Sequence, residues 1–271
     1  MVDSIRKKNR TKSRIFTGFV LFLIVVALLS GFLWNKYLDK KSLIESFETS
    51  EGQEIVLLGT FHENHFNKWT NYSMADMLHV VENVQPDVVF IEAREASFID
   101  YGVMDGPIDM AVIYSYCIDN DIPVEMVDWW VVDNQYPSNR TSKIRDDMIF
   151  TNIQNKLANL AVDKKVLVVC GAGHFYSQEA HFLNNGFLKR NMENKVAYFD
   201  TQDIEFEYPA SVTTVWTQRA YFYAYTYPEI IEQDETLSDD IKAEFTEGNH
   251  DAFYNQQVEY CDLFEKNTLY K

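Results

Sequence analysis

Cysteine is scarce in this chain: Cys117, Cys170 and Cys261 are the only three in 271 residues. None stands in a Cys-x-x-Cys spacing, so a thiolate zinc site is not expected. An odd, widely spaced set does not build a disulfide framework, although one bridge is compatible with oxidising surroundings. Basic residues are few as well, 24 Lys and Arg against 41 Asp and Glu, for a net charge of -17. Residues 1–14 hold six of them (Arg6, Lys7, Lys8, Arg10, Lys12, Arg14) against Asp3 alone, which leaves the rest of the chain at -22. Such an acidic body lacks the basic surface that nucleic acid requires and fits a soluble, self-repelling domain.

Several motifs are missing too. There is no Gly-Lys-Ser/Thr phosphate loop, no Gly-x-Ser-x-Gly elbow, no internal repeat and no low-complexity tract. Gly171-Ala172-Gly173 starts like a dinucleotide fingerprint, but Tyr176 stands where the third glycine belongs. His62-Glu63-Asn64-His65 is not the helical His-Glu-x-x-His motif, because its second histidine comes one residue early. A role for His65 in supporting His62 from behind is the minor alternative, and His65 is not counted among the site residues. His79, His181 and His250 read as structural or solvated, and Cys170 as a small buried hydrophobe.

What the chain does have begins with residues 15–34, an apolar run that no charge interrupts. As a helix it would be about 30 Å long, the thickness of a bilayer's hydrocarbon core. The basic flank before it predicts a cytoplasmic N-terminus, with everything after Trp34 across the membrane. Gly31-Phe32-Leu33-Trp34 offers no good signal-peptidase site, so an uncleaved anchor is expected. The predicted organisation is a cytoplasmic tail (1–14), a transmembrane helix (15–34), a stalk (35–53), an α/β domain (54–203) and an α-helical C-terminal extension (204–271).

Within the domain, apolar strand candidates recur at 55–58, 88–91, 124–127, 166–169 and 196–199. This is the spacing of strand–helix–strand crossovers. Helices are predicted at 73–84 (Ser73 as N-cap), 107–119, 141–161 and, less cleanly, 175–193, where Asn184-Asn185-Gly186 breaks the pattern. The fold class is α/β: a mainly parallel sheet covered by helices. Residues 212–227 are rich in aromatics, and 238–246 and 250–265 read as helices capped by Ser238 and Asn249.

In an open parallel sheet, ligands bind at the carboxyl ends of the strands. Reading each strand end puts two imidazoles and two carboxylates on one edge: His62, Glu92, Asp128 and His174. Arg145, next to Asp146, falls in the first turns of a helix whose N-terminus lies at that edge. Two histidines and a carboxylate suit a first-row divalent metal, so His62, His174 and Glu92 are the expected ligands of Mn²⁺, Co²⁺ or Zn²⁺. Such a metal makes a hydroxide nucleophile from bound water. A carboxylate, Glu92 or Asp128, is expected to take the proton, and Arg145 to neutralise a carbonyl oxygen. Gly59, Thr60, Gly171, Gly173 and Tyr176, around the two glycine turns, are the expected substrate contacts.

The pair Gly59-x-x-His62 and Gly171-x-x-His174 resembles the two Gly-x-x-His motifs of the TraB/TIKI family, which belongs with the erythromycin-esterase and ChaN-like proteins. Glu92 after Pro86-Asp87, and Arg145-Asp146-x-Met148, resemble that family's pattern in order and spacing, over about residues 54–200. The resemblance implies a parallel-sheet α/β fold and metal-dependent hydrolysis of a peptide, amide or ester bond by a membrane-anchored protein. Phe175-Tyr176-Ser177-Gln178 departs from the family, whose members commonly carry another glycine there. The wider group also contains a haem-binding lipoprotein. A non-catalytic protein that sequesters haem, metal or a peptide is therefore the alternative expectation. The partners expected are a peptide or small-molecule substrate and the membrane, with no nucleic acid.

Overall fold

The structure is a computed structural model that describes residues 19–20, 22–31, 33, 39–135, 143–200 and 206–270. The expected membrane helix at 15–34 lies partly outside these. Its described residues are helical and exposed, and among the described residues no helix is long and apolar enough to cross a membrane.

Six strands form one mixed sheet: β1 (Ile44–Glu48), β2 (Glu54–Thr60), β3 (Val88–Arg94), β4 (Val124–Asp128), β5 (Val166–Gly171) and β6 (Leu188–Arg190), in the order β4-β3-β5-β2-β1-β6. The four strands from β4 to β2 are parallel, and β1 runs antiparallel to both of its neighbours. The reason lies in the apolar runs. Ile55, Val56, Leu57 and Leu58, and Val166 to Val169, are at most 2% exposed, as expected where helices cover both faces. β5 inserts between β2 and β3, pairing Thr60 with Gly171 on one side and Ile91 with Val169 on the other.

The covering helices start where their capping signals stand. Helix α1 (Met74–Val84) opens with a capping box: Ser73 Oγ accepts from Asp76 N–H and Asp76 Oδ2 accepts from Ser73 N–H. Helices α2 (Glu95–Tyr101), α3 (Ile108–Asp119), α4 (Lys143–Leu157) and α5 (Ala172–Asn184) follow. α3 begins directly after Pro107, and α4 buries Ile149, Ile153 and Leu157. The expected start of that helix at Thr141 and Ser142 lies outside the described residues.

Two expectations are corrected at the far edge of the sheet. Residues 196–199 are not a strand but lie in a 3₁₀ helix, Lys195–Phe199. Asn194 turns left-handed ahead of it (φ 52°), and Val196 is 55% exposed, so no alternating buried face exists there. The strands beyond β2 come instead from the expected stalk, whose Ile44 and Phe47 are fully buried, and from Leu188–Arg190 after the Asn-Gly break. β1 escapes a search for apolar runs because Ile44 and Phe47 are separated by Glu45 and Ser46, which leaves neither an apolar run nor a period-two pattern.

The C-terminal extension is helical: α6 (Val212–Tyr221), a π turn (Phe222–Thr226), α7 (Tyr227–Gln233), α8 (Asp239–Thr246), α9 (His250–Val258) and α10 (Cys261–Glu265). Val212, Trp216 and Phe264 join the main core, so the extension and the sheet share one hydrophobic interior. A satellite cluster holds Val103, Phe222, Tyr227, Ile231, Leu237 and Ile241. All three cysteines are unbridged, and Cys117 and Cys170 are buried.

Candidate active site

The four parallel strands deliver their groups side by side. Asp128 ends β4, Glu92 lies near the end of β3, Gly171 ends β5 just ahead of His174, and His62 follows β2. β3 bulges against β4 between Ile91 and Arg94, which marks the break that Glu92 occupies.

His62 sits at φ 53°, a left-handed conformation rare for a side-chain-bearing residue and a strain that surrounding bonds must hold. Asp109, in the first turn of α3 and 0% exposed, supplies them. Its carboxylate accepts from His62 N–H at 3.2 Å and lies 3.1 and 3.2 Å from His62 Nδ1. Burial works against a charged imidazole. The Asp109 carboxylate, with Glu92 and Glu63 adding their field, outweighs it and raises the His62 pKa from 6.5 to about 9. Asp109 responds in kind: burial would raise its pKa, but His62 holds it well below the usual carboxylate range. His65, fully buried, fastens the turn from behind. Its Nε2 accepts from Phe61 N–H at 2.9 Å, and its Nδ1 donates to Tyr72 O at 2.8 Å. Burial keeps this imidazole neutral.

The second imidazole repeats the arrangement. His174, in the first turn of α5, places Nδ1 2.5 Å from Asp146 Oδ1. Burial of Asp146 opposes its charge, but hydrogen bonds from His174 and Ser177 lower its pKa overall. The other ring nitrogen, Nε2, lies 3.5 Å from Glu92 Oε1.

Glu92, 2% exposed, ties the set together. Its Oε2 accepts from Gly171 N–H at 2.6 Å, and its Oε1 accepts from Arg145 Nη2 at 2.7 Å. Arg145 also forks onto Asp128, Nε to Oδ1 and Nη2 to Oδ2, each at 2.8 Å. Arg145, expected to face a carbonyl oxygen, also grips two carboxylates of the protein with its fork while lining the cavity. A Cβ on Gly171 would lie 2.5 Å from His62 Nε2 and 3.3 Å from Glu92 Oε2, so the His62 ring rests directly on this glycine's backbone. Gly106 is required for a similar reason: a Cβ there would meet Glu92 O at 2.6 Å.

Of the five residues expected to touch substrate, Gly171 lies within this group, and the Thr60 hydroxyl lies against Asp109, whose pKa it helps to lower. Gly59 packs against Phe175, with its N–H bonded to Leu43 O. Thr60 Oγ1 donates to Cys170 O inside the sheet. Gly173 has open space beside it in the first turn of α5, and Tyr176 packs edge-on against Phe175.

The donor chemistry does not fit the mononuclear centre expected from His62, Glu92 and His174. Both histidines have the carboxylate-held Nδ1 typical of metal-bound imidazoles. Yet both oxygens of Glu92 already accept hydrogen bonds, one from a guanidinium that repels a cation. Among the described residues no group of three or more His, Cys, Asp or Glu is placed to hold a metal ion.

A cavity of about 410 Å³ opens over this edge, lined by His62, Glu92, Asp128 and Arg145 from the sheet side and by Arg219 and Tyr223 from the extension, among others. A second, of about 390 Å³, shares His62, Pro107 and Arg219 with it. Pattern reading missed Asp109, Asp105, Arg94, Arg219 and Tyr223. Asp109 carried a readable signal, since it stands two residues after Pro107 in a helix whose N-terminus faces the same edge. Arg219 and Tyr223 carried none, because only tertiary packing brings the extension over the strand ends. No protein-family model, curated protein or solved structure matches the chain.

Proposed function

We propose that the chain hydrolyses a peptide, amide or ester bond at this strand-end site, in keeping with its resemblance to the TraB/TIKI family. The observation that carries the reading is the pair of imidazoles, each oriented through Nδ1 by a buried aspartate and each turning Nε2 toward the Glu92 region. Nothing in a structural sheet edge requires two such dyads, and polar clusters of this kind in clefts favour a functional role.

The division of labour follows from the charges. His62, protonated at neutral pH, offers Nε2–H to the scissile carbonyl oxygen and then to the leaving group. His174, with Nδ1 donating to Asp146, takes the proton of the attacking water at Nε2. The water oxygen bonds to the carbonyl carbon, the C–N or C–O bond breaks, and the departing atom leaves with the proton of His62. Exchange with solvent returns the proton from His174 and resets His62. Glu92 and Arg145 fix the two rings about one point. Asp128 holds the Arg145 fork.

The test is cleavage of a peptide and ester panel by the purified 271-residue chain, with Mn²⁺, Co²⁺, Zn²⁺ or a chelator added in turn. Cleavage that is lost in both His62→Ala and His174→Ala supports the reading. Cleavage that survives both substitutions defeats it. Tight binding without product across the panel would favour the sequestering protein. Dependence on one added metal would restore the metal-ligand role first expected of His62, His174 and Glu92.

We also propose that residues 15–34 anchor the chain with its N-terminus in the cytoplasm and the catalytic domain outside, on the charge-free run and its basic flank.

A further inference from the structure

Arg219 is a charged group of the cleft that the site just described does not use. It projects from α6 of the C-terminal extension into the wall shared by both cavities. Its guanidinium lies over two rings, with Cζ 4.7 Å from the Trp216 centroid and 4.9 Å from that of Tyr223. Nε donates to the backbone oxygen of Asp105 at 3.2 Å. No carboxylate of the described residues pairs with it, and its two Nη nitrogens have no hydrogen-bond partner among them.

The neighbouring charges show that this is selective. Arg94 is fully matched: it pairs with Asp105 Oδ2 at 2.5 Å, donates to Tyr223 Oη at 3.0 Å and lies 3.5 Å from the Trp130 ring. Arg145 is shared by Glu92 and Asp128. Asp105 therefore spends its carboxylate on Arg94 and gives Arg219 only a carbonyl. Burial lowers the Arg219 pKa and Arg94 adds repulsion, while Tyr223 and Asp105 compensate in part. A half-buried guanidinium that lies against two rings and lines both cavities without a carboxylate partner is pre-organised for an anion.

We infer that Arg219 is the anchor for a carboxylate on the substrate, so that the site acts on carboxylate-bearing peptides or esters with the scissile bond presented to His62. A monoanion is favoured over phosphate. One planar fork matches a carboxylate, and Glu92, Asp105, Asp109 and Asp128 around the cleft disfavour a dianion. The same cavity is walled by Trp130, Phe245 and Phe253, which suits an apolar or aromatic group next to the carboxylate. This deepens the hydrolase reading and rests on it for the scissile bond. The anion anchor itself rests on Arg219.

The experiment measures binding to the purified 271-residue chain by tryptophan fluorescence, so that turnover is not needed. The probes are N-acetyl-phenylalanine, its amide, N-acetyl-glutamate α-amide and inorganic phosphate. The expected result is that a carboxylate probe binds about tenfold or more tighter than the neutral amide, the worth of a charge-assisted pair. The preference disappears in Arg219→Gln and is weakened but present in Arg219→Lys. Whichever acid binds better assigns the carboxylate to a chain terminus or to a side chain. Equal binding of acid and amide by the wild-type chain overturns the inference whether or not the variants fold. So does an acid preference that persists in Arg219→Gln, or phosphate outcompeting both acids. A preference that holds while no peptide or ester is cleaved leaves the anchor in place and sinks the hydrolase reading alone. With a cleaved substrate in hand, Arg219→Lys raises KM for the acid form and leaves kcat nearly unchanged.

Discussion

Replacing Asp109 by Asn removes the charge that sets the state of His62 while keeping the shape of the side chain. In the wild type the imidazole is raised from 6.5 to about 9. Because the folded-state value is the higher one, the stabilisation is fully present below pH 6.5 and is lost as the pH rises through about 9. The rise corresponds to about 3 kcal/mol, at roughly 1.4 kcal/mol per tenfold change in proton affinity. A third of the His62 side chain, 32%, stays exposed, so screening trims the figure to about 2 kcal/mol. In Asp109→Asn burial is opposed only by the weaker fields of Glu92 and Glu63, so the ring should titrate well below about 9 and close to its ordinary 6.5. The variant should lose about 2 kcal/mol of stability near pH 6.5, and its stability should be nearly flat between pH 6.5 and 9, where the wild type declines. Cleavage at neutral pH should fall with the fraction of charged His62. The assays are NMR titration of the His62 ring, urea unfolding at three pH values and a pH–rate profile. A wild-type ring that titrates at or below 6.5, or identical pH slopes in wild type and variant, would refute the reasoning.

Other outcomes follow from single contacts. Gly171→Ala adds a methyl 2.5 Å from His62 Nε2 at an ordinary φ of -58°, so turnover should drop about 100-fold while the melting temperature moves by only a few degrees. Arg145→Lys keeps a charge but loses the fork that joins Glu92 to Asp128. It should cost about 1–3 kcal/mol in stability by urea unfolding and slow cleavage by lowering kcat. Ser73→Ala removes the capping hydroxyl of α1 and should cost about 1 kcal/mol without changing kcat/KM, which serves as the control for general destabilisation. Protease added outside intact or wall-stripped cells should digest the domain and spare the N-terminus. A domain protected until the membrane is permeabilised would reverse the proposed orientation.

The parallel half of the sheet was legible because its strands are buried on both faces and read as continuous apolar runs. The site residues on those strands were legible for the same reason: once Val88–Ile91 is a strand, Glu92 falls near its end, although the strand itself runs on to Arg94. The antiparallel edge was not. β1 has only two apolar residues, on opposite faces, β6 has three exposed residues, and their pairing depends on neighbours distant in sequence. Val196–Phe199 shows the converse error, since a short apolar run carries no information about whether a sheet edge is near. In the site, histidines and carboxylates could be placed by strand ends, but what each one bonds could not. Arg145 was expected to face substrate, and its grip on Asp128 and Glu92 was not foreseen. Asp109 was overlooked because a helix-first-turn aspartate ordinarily caps its own helix. Arg219 comes from a helix whose only sequence signal is a run of aromatics, and its place over the strand ends is a property of the packed chain.

The most direct measurement is single-turnover cleavage in H₂¹⁸O, with mass analysis of the acid product and of the protein. If water activated at His174 attacks the carbonyl, the acid released in the first turnover carries one ¹⁸O and the protein gains no label. An unlabelled acid with ¹⁸O found in a protein carboxylate would place Glu92 or another side chain as the nucleophile and contradict the proposed division of labour between His62 and His174.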